Sequence, residues 1–246
     1  MTPSNTSVII EAMSVEILSD GGVEERVRVF AALAEPVRLR IVDLVAFGDA
    51  APSELQRHLA ISSNLMAHHL GVLTDAGLVA RRRSEADRRR SYLQLLPAAV
   101  PLLAAALTQP AQTQLRGARR VVFVCTANSA RSQLAAALWA RASDVPVTSA
   151  GTHPAARVAP GAARTARKHG LTLLGDRPQQ LDEVTGPDDY VIAVCDNAYE
   201  ELPAGTTDLH WSVPDPVRVG TAGAFDAAHD DLAARVAHLA PHLSPN

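Results

Sequence analysis

A cysteine that ends an apolar strand, with an arginine six residues later, is the pattern with the clearest chemical meaning in this sequence. Residues 121–124 are apolar and predict a strand that delivers Cys125 to the edge of a sheet. A short loop and a helix from about Ser132 to Ala142 follow, so backbone N–H groups and a positive helix end can surround a tetrahedral oxyanion. The predicted oxyanion-binding residues are Thr126, Ala127, Asn128, Ser129, Ala130, Arg131 and Ser132.

The residue types in this loop predict their roles. The guanidinium fork of Arg131 can clamp two oxygens of the anion. The same positive surroundings should hold Cys125 as a thiolate nucleophile, to which the Ser132 hydroxyl can donate. The alternative is a buried core cysteine with an arginine nearby by coincidence.

The second half of the chain alternates strand and helix signals. Strands are predicted near 120–125, 146–149, 189–195 and 208–212, and helices near 132–143, 157–169 and 222–240. This alternation is typical of an α/β domain with a parallel sheet covered on both faces. Because ligand sites gather at the carboxyl ends of parallel strands, we expect Cys125 and Cys195 to emerge at the same edge.

Four segments carry a family resemblance. They are residues 125–132, 149–152, 194–198, and 210–211 followed by 214–216. Together they resemble the low-molecular-weight protein tyrosine phosphatase fold and, more closely, the arsenate reductases that share it. The resemblance implies that Asp215, in an Asp-Pro pair, is the general acid that protonates the oxygen leaving phosphorus or arsenic.

Cys195 distinguishes the two activities. A phosphatase needs one cysteine, whereas reducing arsenate takes two electrons and so a second thiol, which Cys195 is placed to supply. The alternative role for Cys195 is a small buried hydrophobe at a strand end. Residues 216–220 also lack the aromatic rings that would sandwich a phosphotyrosine side chain.

The source of electrons stays open. Thioredoxin-coupled arsenate reductases carry a third cysteine seven residues beyond the second, where this chain has Leu202. Either a Cys125–Cys195 disulfide is opened by an external reductant of thioredoxin or mycoredoxin type, or mycothiol or glutathione attacks the arsenylated Cys125 directly. We expect no bound cofactor and no metal ion.

The first half predicts a helix-turn-helix. A short helix over residues 52–59 and a turn precede a helix from Ser63 to about Ala76. One stripe of the second helix should pack inward: Met66, His69, Leu70 and Leu73. The other is small and polar and could lie in a DNA major groove: Ser63, Asn64, Ala67, His68 and Gly71.

A β-hairpin rich in arginine follows, which we call the wing (residues 78–95). It carries Arg81, Arg82, Arg83, Arg88, Arg89 and Arg90, which are suited to DNA phosphates. An arginine run is more often a solvated surface, but its position directly after a helix-turn-helix favours DNA binding.

Residues 30–95 resemble the ArsR-type winged-helix repressors, through segments 33–41, 68–73 and 76–79. The resemblance implies operator DNA as a partner and a homodimer, for which the helices around 23–34 and 97–108 offer apolar surfaces. Such repressors sense arsenite through cysteines, or zinc through His and acidic residues. Residues 1–119 hold no cysteine and residues 97–108 no His, Asp or Glu, so any effector must be detected elsewhere or not at all.

Length and composition predict a multidomain protein: a winged helix-turn-helix plus an α/β parallel-sheet domain. We expect an N-terminal extension over 1–22, the DNA-binding domain over 23–108, a polar linker over 109–118, and the catalytic domain over 119–246. Two cysteines in 246 residues, no signal peptide and no apolar run long enough to span a bilayer indicate the reducing cytoplasm.

The sequence therefore predicts a DNA-binding transcriptional regulator fused to a cysteine-dependent arsenate reductase. One alternative is a protein tyrosine phosphatase with a DNA-binding domain. Another is a non-catalytic repressor in which Cys125 and Cys195 only sense arsenite.

Overall fold

The computed structural model describes residues 20–99 and 117–245. They form two compact units, each of which includes several chain segments. The first unit contains residues up to Leu44, Ser53–Ala80 and the residues from Leu95, and the second contains Val45–Pro52, Arg81–Gln94 and the C-terminal part of the chain. The larger part of the wing therefore belongs to the second unit. These units are built from several segments each, so they do not test the predicted domain limits 23–108 and 119–246, which remain a prediction.

The first unit is helical. Its helices are α1 (Asp20–Leu33), α2 (Pro36–Val45, whose last residue belongs to the second unit), α3 (Pro52–Leu59) and α4 (Ser63–Asp75). Pro36 begins α2, because proline suits the first position of a helix. The turn before α4 places Ala60 at φ 52°, and the Leu65 N–H donates to the Ser62 side chain at 3.3 Å, which caps α4.

The two predicted faces of α4 are confirmed. Met66, His69, Leu70 and Leu73 are buried, whereas the opposite face is exposed over Ser63, Asn64, Ala67, His68 and Gly71. The Nδ1 atom of His69 lies 3.5 Å from a carboxyl oxygen of Glu35, so this histidine has a structural role in the first unit. The exposed face remains available for another molecule.

The wing is a two-stranded hairpin of β1 (Val79–Arg83) and β2 (Ser91–Leu95), followed by a 3₁₀ turn over Pro97–Ala99. Between the strands, the Ser84 side chain accepts from the N–H groups of Ala86 and Asp87 at 3.0 and 3.2 Å. These bonds fix the turn, residues 84–90, which we call the wing tip.

The rest of the second unit is an α/β structure. Its strands are β3 (Arg120–Cys125), β4 (Val147–Gly151), β5 (Asp189–Ala193) and β6 (Leu209–His210), in the order β4-β3-β5-β6 and all parallel. The helices are α5 (Arg131–Ala142), α6 (Pro160–Lys168), α7 (Leu181–Val184), α8 (Asp196–Glu201), α9 (Pro216–Val219) and α10 (Ala222–Leu239), with a 3₁₀ turn over Ala240–His242. The parallel sheet predicted from the alternating pattern is confirmed.

The differences from the predicted elements are local. The strand predicted over 208–212 is only two residues long, and helices α7, α8 and α9 were not predicted. Helices of four to six residues complete fewer than two turns, so they leave no periodic signal in the sequence.

The core of the second unit is closed by two segments from the N-terminal half of the sequence. The Trp211 indole N–H donates to the carbonyl of Phe47 at 2.7 Å. The buried Asp49 carboxylate accepts from Arg235 at 3.1 Å and from Gln94 at 2.9 Å. Burial alone would lower the pKa of Arg235, but Asp49 and Asp231 beside it raise the pKa above its ordinary value.

Several predictions fall outside the described residues. They are the extension up to residue 19, most of the 97–108 helix with its dimer surface, and the 109–118 linker as far as residue 116. Within the described ranges, the structure contains no helix with the length and apolar character needed to cross a membrane.

Candidate active site

The loop after β3 is shaped to expose its N–H groups to an anion. The carbonyls of Cys125, Thr126, Ala127 and Ser129 accept bonds of 2.8–3.1 Å from the N–H groups of residues 152, 153, 155 and 159. Because N–H and C=O point in opposite directions across each planar peptide, the following N–H groups face the other way. This orientation of the N–H groups of residues 126, 127, 128 and 130 suits the predicted role of residues 126–132 in anion binding.

Asn128 braces this loop from below, a role that the sequence did not single out. Its backbone is left-handed at φ 46°, and its Nδ2 donates to the hydroxyls of Ser132 and Ser149, both at 2.9 Å. Its Oδ1 accepts from the Gln179 N–H at 2.9 Å. Asparagine tolerates this left-handed backbone better than most residues do. Its side-chain bonds to Ser132, Ser149 and Gln179 hold the loop in place without a ligand.

Cys125 lies at the floor of the loop and is buried. Its Sγ is 3.1 Å from the Ser132 Oγ, so the predicted contact between these two side chains is confirmed. The loop backbone at Thr126 packs closely against Gly151 of the neighbouring strand β4. A Cβ atom at position 151 would lie 2.7 Å from the Thr126 carbonyl oxygen, so a residue without a side chain is needed there.

Arg131 begins α5 and is nearly enclosed, with 7% of its surface exposed. Its guanidinium donates to the Val213 carbonyl at 3.0 Å and lies 3.4 Å from the Asp215 carboxylate. Burial alone would lower the pKa of Arg131, but Cys195, Cys125, Asp215 and Glu85 together raise it. The arginine therefore carries a permanent positive charge near Cys125, the predicted nucleophile.

Asp215 precedes α9, with Pro216 at the first helical position. One carboxyl oxygen accepts from the Val217 N–H at 3.0 Å, and the other faces Arg131. The side chain is only 31% exposed, so a carboxyl group lies within reach of an oxygen held by Arg131. This position is compatible with the predicted general acid.

Cys195 follows β5, which pairs directly with β3, so the two thiols are at the same edge of the sheet, as predicted. Its Sγ lies 3.6 Å from the Thr126 hydroxyl and accepts from the Ala198 N–H at 3.4 Å. Burial raises the pKa of Cys195, although Arg131 acts in the opposite direction. The thiol is therefore protonated at rest, next to the loop that holds Cys125.

Asp196, directly after Cys195, is a buried carboxylate with two partners. His210 lies 3.1 Å from one oxygen, and the Glu85 N–H donates to the other at 2.8 Å. Burial would raise the pKa of Asp196, but the hydrogen bonds from its partners, His210 first among them, lower it. Asp196 therefore acts as an ionised anchor for the wing tip.

Glu85 of the wing tip is a site residue that sequence reasoning missed. Its carboxylate accepts from the Asp215 N–H at 3.1 Å and from Arg218 at 2.9 Å, and it lies 4.0 Å from Arg131. The available signal was an acidic side chain between two runs of three arginines.

The predicted DNA-contacting residues differ in their surroundings. Arg81, Arg83, Arg88 and Arg89 are exposed. Arg82 instead donates to the Ser212 carbonyl at 2.6 Å, and Arg90 lies 4.0 Å from Glu200 and over the Tyr92 ring. Part of the arginine cluster is thus bound within the second unit.

One group of three side chains with ligand spacing occurs within residues 20–99 and 117–245: His169, His229 and Asp230. The two imidazole rings stack with centroids 3.7 Å apart and planes 23° from parallel. Nearly parallel rings direct their nitrogen lone pairs side by side rather than towards one tetrahedral ion. We assign no metal-binding role to this group.

The fold and the cysteine–arginine loop define a phosphatase-type oxyanion site. Residues 120–246, just over half of the chain, match the family described as "Low molecular weight phosphotyrosine protein phosphatase". The chain belongs to this family, and residues 33–82 match a helix-turn-helix domain.

Known proteins resemble the two halves separately. The transcriptional repressor SdpR of Bacillus subtilis (strain 168) is 34% identical over 55 residues, which are 22% of this chain and 61% of the repressor. The chain thus covers less than two thirds of the length of that relative. An arsenate reductase from Archaeoglobus fulgidus DSM 4304 has 29% identity and a TM-score of 0.44, covering 49% of this chain and 98% of its own. The tyrosine phosphatase Wzb from Escherichia coli K30, in complex with sulphate, has 24% identity and a TM-score of 0.45, covering 50% and 96%.

Proposed function

We propose that this chain is a DNA-binding transcriptional regulator joined to a thiol-dependent arsenate reductase. The observation that carries the proposal is a pair of buried thiols at one edge of the sheet, Cys125 at the end of β3 and Cys195 just after the adjacent parallel strand β5. A phosphatase has no use for the second thiol, whereas arsenate reduction requires one.

The residues support the following chemistry. The Cys125 thiolate attacks arsenic while Arg131 and the loop N–H groups hold the remaining oxygens. The bond from arsenic to one oxygen breaks, and Asp215 protonates that oxygen, which leaves as water. Cys195 attacks the sulfur of Cys125 as a thiolate, and its proton passes to an oxygen of the departing arsenite. The sulfur–arsenic bond breaks, and its electron pair reduces arsenic to arsenite. The two thiols are oxidised to a disulfide.

An external thiol completes the cycle. A protein of thioredoxin or mycoredoxin type would reopen the Cys125–Cys195 disulfide, or mycothiol or glutathione would take the place of Cys195. A reducing compartment such as the cytoplasm suits both routes.

The DNA-binding role rests on other residues. The exposed face of α4, the four exposed wing arginines and the helix-turn-helix match support binding to operator DNA. A homodimer would present two such units to a two-fold operator.

The second candidate is a protein tyrosine phosphatase with a DNA-binding domain, which the family match itself favours. A third, from another class, is a repressor that binds arsenite between its two thiols without turnover. One assay on the purified full chain separates all three. The reductase oxidises thiols when arsenate is added, the phosphatase releases phosphate from an aryl phosphate, and the sensor binds arsenite but turns over neither. Cys125→Ser, measured in parallel, shows whether any activity belongs to this site.

A further inference from the structure

The Glu85 carboxylate of the wing tip lies at the edge of the oxyanion site, beside its buried arginine. One oxygen accepts from the Asp215 backbone N–H at 3.1 Å and lies 4.0 Å from Arg131, and the other is 2.9 Å from Arg218. We propose that Glu85 is a built-in competitor of the oxyanion, and that an entering oxyanion displaces the wing tip. This inference deepens the proposed function, and only its link to DNA binding rests on that function.

The charges of the site support competition. Arg131 is the buried cation of the loop, and Glu85 is among the anions that raise its pKa. Asp215 also faces Arg131, at 3.4 Å. A doubly charged oxyanion at Arg131 would add like charge beside two carboxylates, and Glu85 is the one carried by a hairpin turn.

Hydrogen bonds and ion pairs attach the wing tip and the neighbouring wing residues to the rest of the second unit, beside the packed ring of Tyr92. The Glu85 N–H donates to Asp196 at 2.8 Å, and the Tyr92 hydroxyl donates to Glu200 at 2.8 Å, next to the bond from Ser84 to the same oxygen. Arg82 and Arg90 are bound to Ser212 and Glu200. Several of these bonds involve buried residues, so an oxyanion that displaces Glu85 must compensate for their loss through its own bonds to the site.

Reversible docking would make the hairpin report on the site. The arginines suited to DNA phosphates belong to the same hairpin as Glu85, and residues 1–119 contain no cysteine to sense arsenic. An oxyanion that displaces Glu85 would therefore act as the signal that the N-terminal half cannot detect by itself.

The test uses inorganic phosphate, an unreactive oxyanion, on the full-length protein. Glu85→Gln keeps the shape and removes the charge, and the matched control is Asp87→Asn, which alters a carboxylate of the same turn whose ionic partner is Arg89. By calorimetry at constant ionic strength, Glu85→Gln should bind phosphate roughly 5- to 150-fold more tightly, the usual range for coupled equilibria, with no change for the control. Equal affinity in Glu85→Gln and the unaltered protein would overturn the proposal.

A second measurement follows the wing tip. Saturating phosphate should accelerate hydrogen exchange of the amides of residues 84–90 in the unaltered protein, because the Glu85 N–H loses its bond to Asp196. Exchange in β3 should stay constant. Unchanged exchange at the wing tip with phosphate bound would also overturn the proposal. Both readouts are independent of arsenate turnover and of DNA, so they can fail or succeed separately from the proposed function.

Discussion

At the scale of single residues, the central feature of the site is Arg131, whose guanidinium contacts several polar groups at once. It holds the Val213 carbonyl and faces the carboxylates of Asp215 and Glu85. The bond to Val213 holds the segment that carries Asp215, so Arg131 and the predicted general acid are positioned together. Loss of either carboxylate should therefore change anion binding and turnover in different ways.

Asp215→Asn should slow turnover by ~10²–10⁴-fold, the usual contribution of general acid catalysis. Phosphate binding should persist or tighten, because a negative charge 3.4 Å from Arg131 is removed. Steady-state kinetics and phosphate titration measure the two effects separately. Asp230→Asn, at an exposed carboxylate, is the control. Turnover that survives the Asp215 change would assign the acid to another carboxyl, with Glu85 or Asp196 as the nearest.

Cys195→Ser should abolish arsenate reduction driven by a disulfide-reducing protein, while hydrolysis of an aryl phosphate persists. A phosphocysteine needs only water, whereas the arsenylated Cys125 needs an attacking thiolate. In the unaltered protein, arsenate should leave a Cys125–Cys195 disulfide that mass spectrometry detects after alkylation. Full reduction by the variant with mycothiol or glutathione would make Cys195 a core residue.

At the scale of elements, α4 and the wing separate two modes of DNA recognition. The exposed face of α4 carries Asn64 and His68, whose side chains can read base edges, whereas the wing offers guanidinium groups to phosphates. Changes at Asn64 or His68 should alter the preferred sequence, and changes in the wing should alter overall affinity.

Replacing Arg88, Arg89 and Arg90 with alanine should weaken binding to all duplexes. The slope of log affinity against log salt should fall by ~0.9 for each DNA phosphate that the variant no longer neutralises. Alanine at the exposed residues Arg164, Arg167 and Arg177 removes the same charge elsewhere and serves as the control. Fluorescence anisotropy across a salt series measures both. An unaltered protein with no affinity for its own promoter at low salt would refute the regulator assignment.

At the scale of the whole molecule, the second unit depends on residues far away in the sequence. Asp49 is a buried partner of Arg235, although 186 positions separate them. A protein cut at residue 118 would leave Arg235 without this partner and the Trp211 indole without the Phe47 carbonyl.

Asp49→Ala should therefore lower the free energy of unfolding by about 3–5 kcal/mol, the usual cost of leaving one member of a buried ion pair alone. Trp139 and Trp211 are the two tryptophans of the chain and both lie in the second unit, so fluorescence in a urea titration reports its unfolding. Asp176→Ala, at an exposed position, should be neutral. An unchanged midpoint in Asp49→Ala would show that the Arg235 pair contributes little.

Oxyanion and DNA should also influence each other. At constant ionic strength, saturating phosphate should tighten DNA binding by the unaltered protein, because withdrawal of the wing tip would release Arg90 from Glu200. By thermodynamic linkage, DNA should tighten phosphate binding by the same factor. Anisotropy with and without phosphate measures this, and Glu85→Gln should respond less. If the unaltered protein binds DNA with the same affinity in the presence and absence of phosphate, the oxyanion site and DNA binding are not coupled.

The sequence alone determined the features that repeat locally or occupy a short motif. The inward and outward faces of α4 follow from helical periodicity, and the strand, loop and helix around Cys125 follow from one continuous segment. The same-edge placement of Cys195 followed from the rule that parallel strands share a carboxyl end.

Tertiary structure alone decided which distant side chains complete the site. Glu85 reaches the Asp215 amide across 130 positions, and Asp49 reaches Arg235 across 186. Asn128 joins the loop to Ser149 and Gln179, which belong to other segments. Such contacts bring together single residues from separate segments, so no period or spacing in the sequence records them. They depend on how the hairpin residues of the second unit pack against its sheet. This packing places the Glu85 carboxylate near Arg131, although the sequence analysis had singled out only the arginines of the hairpin.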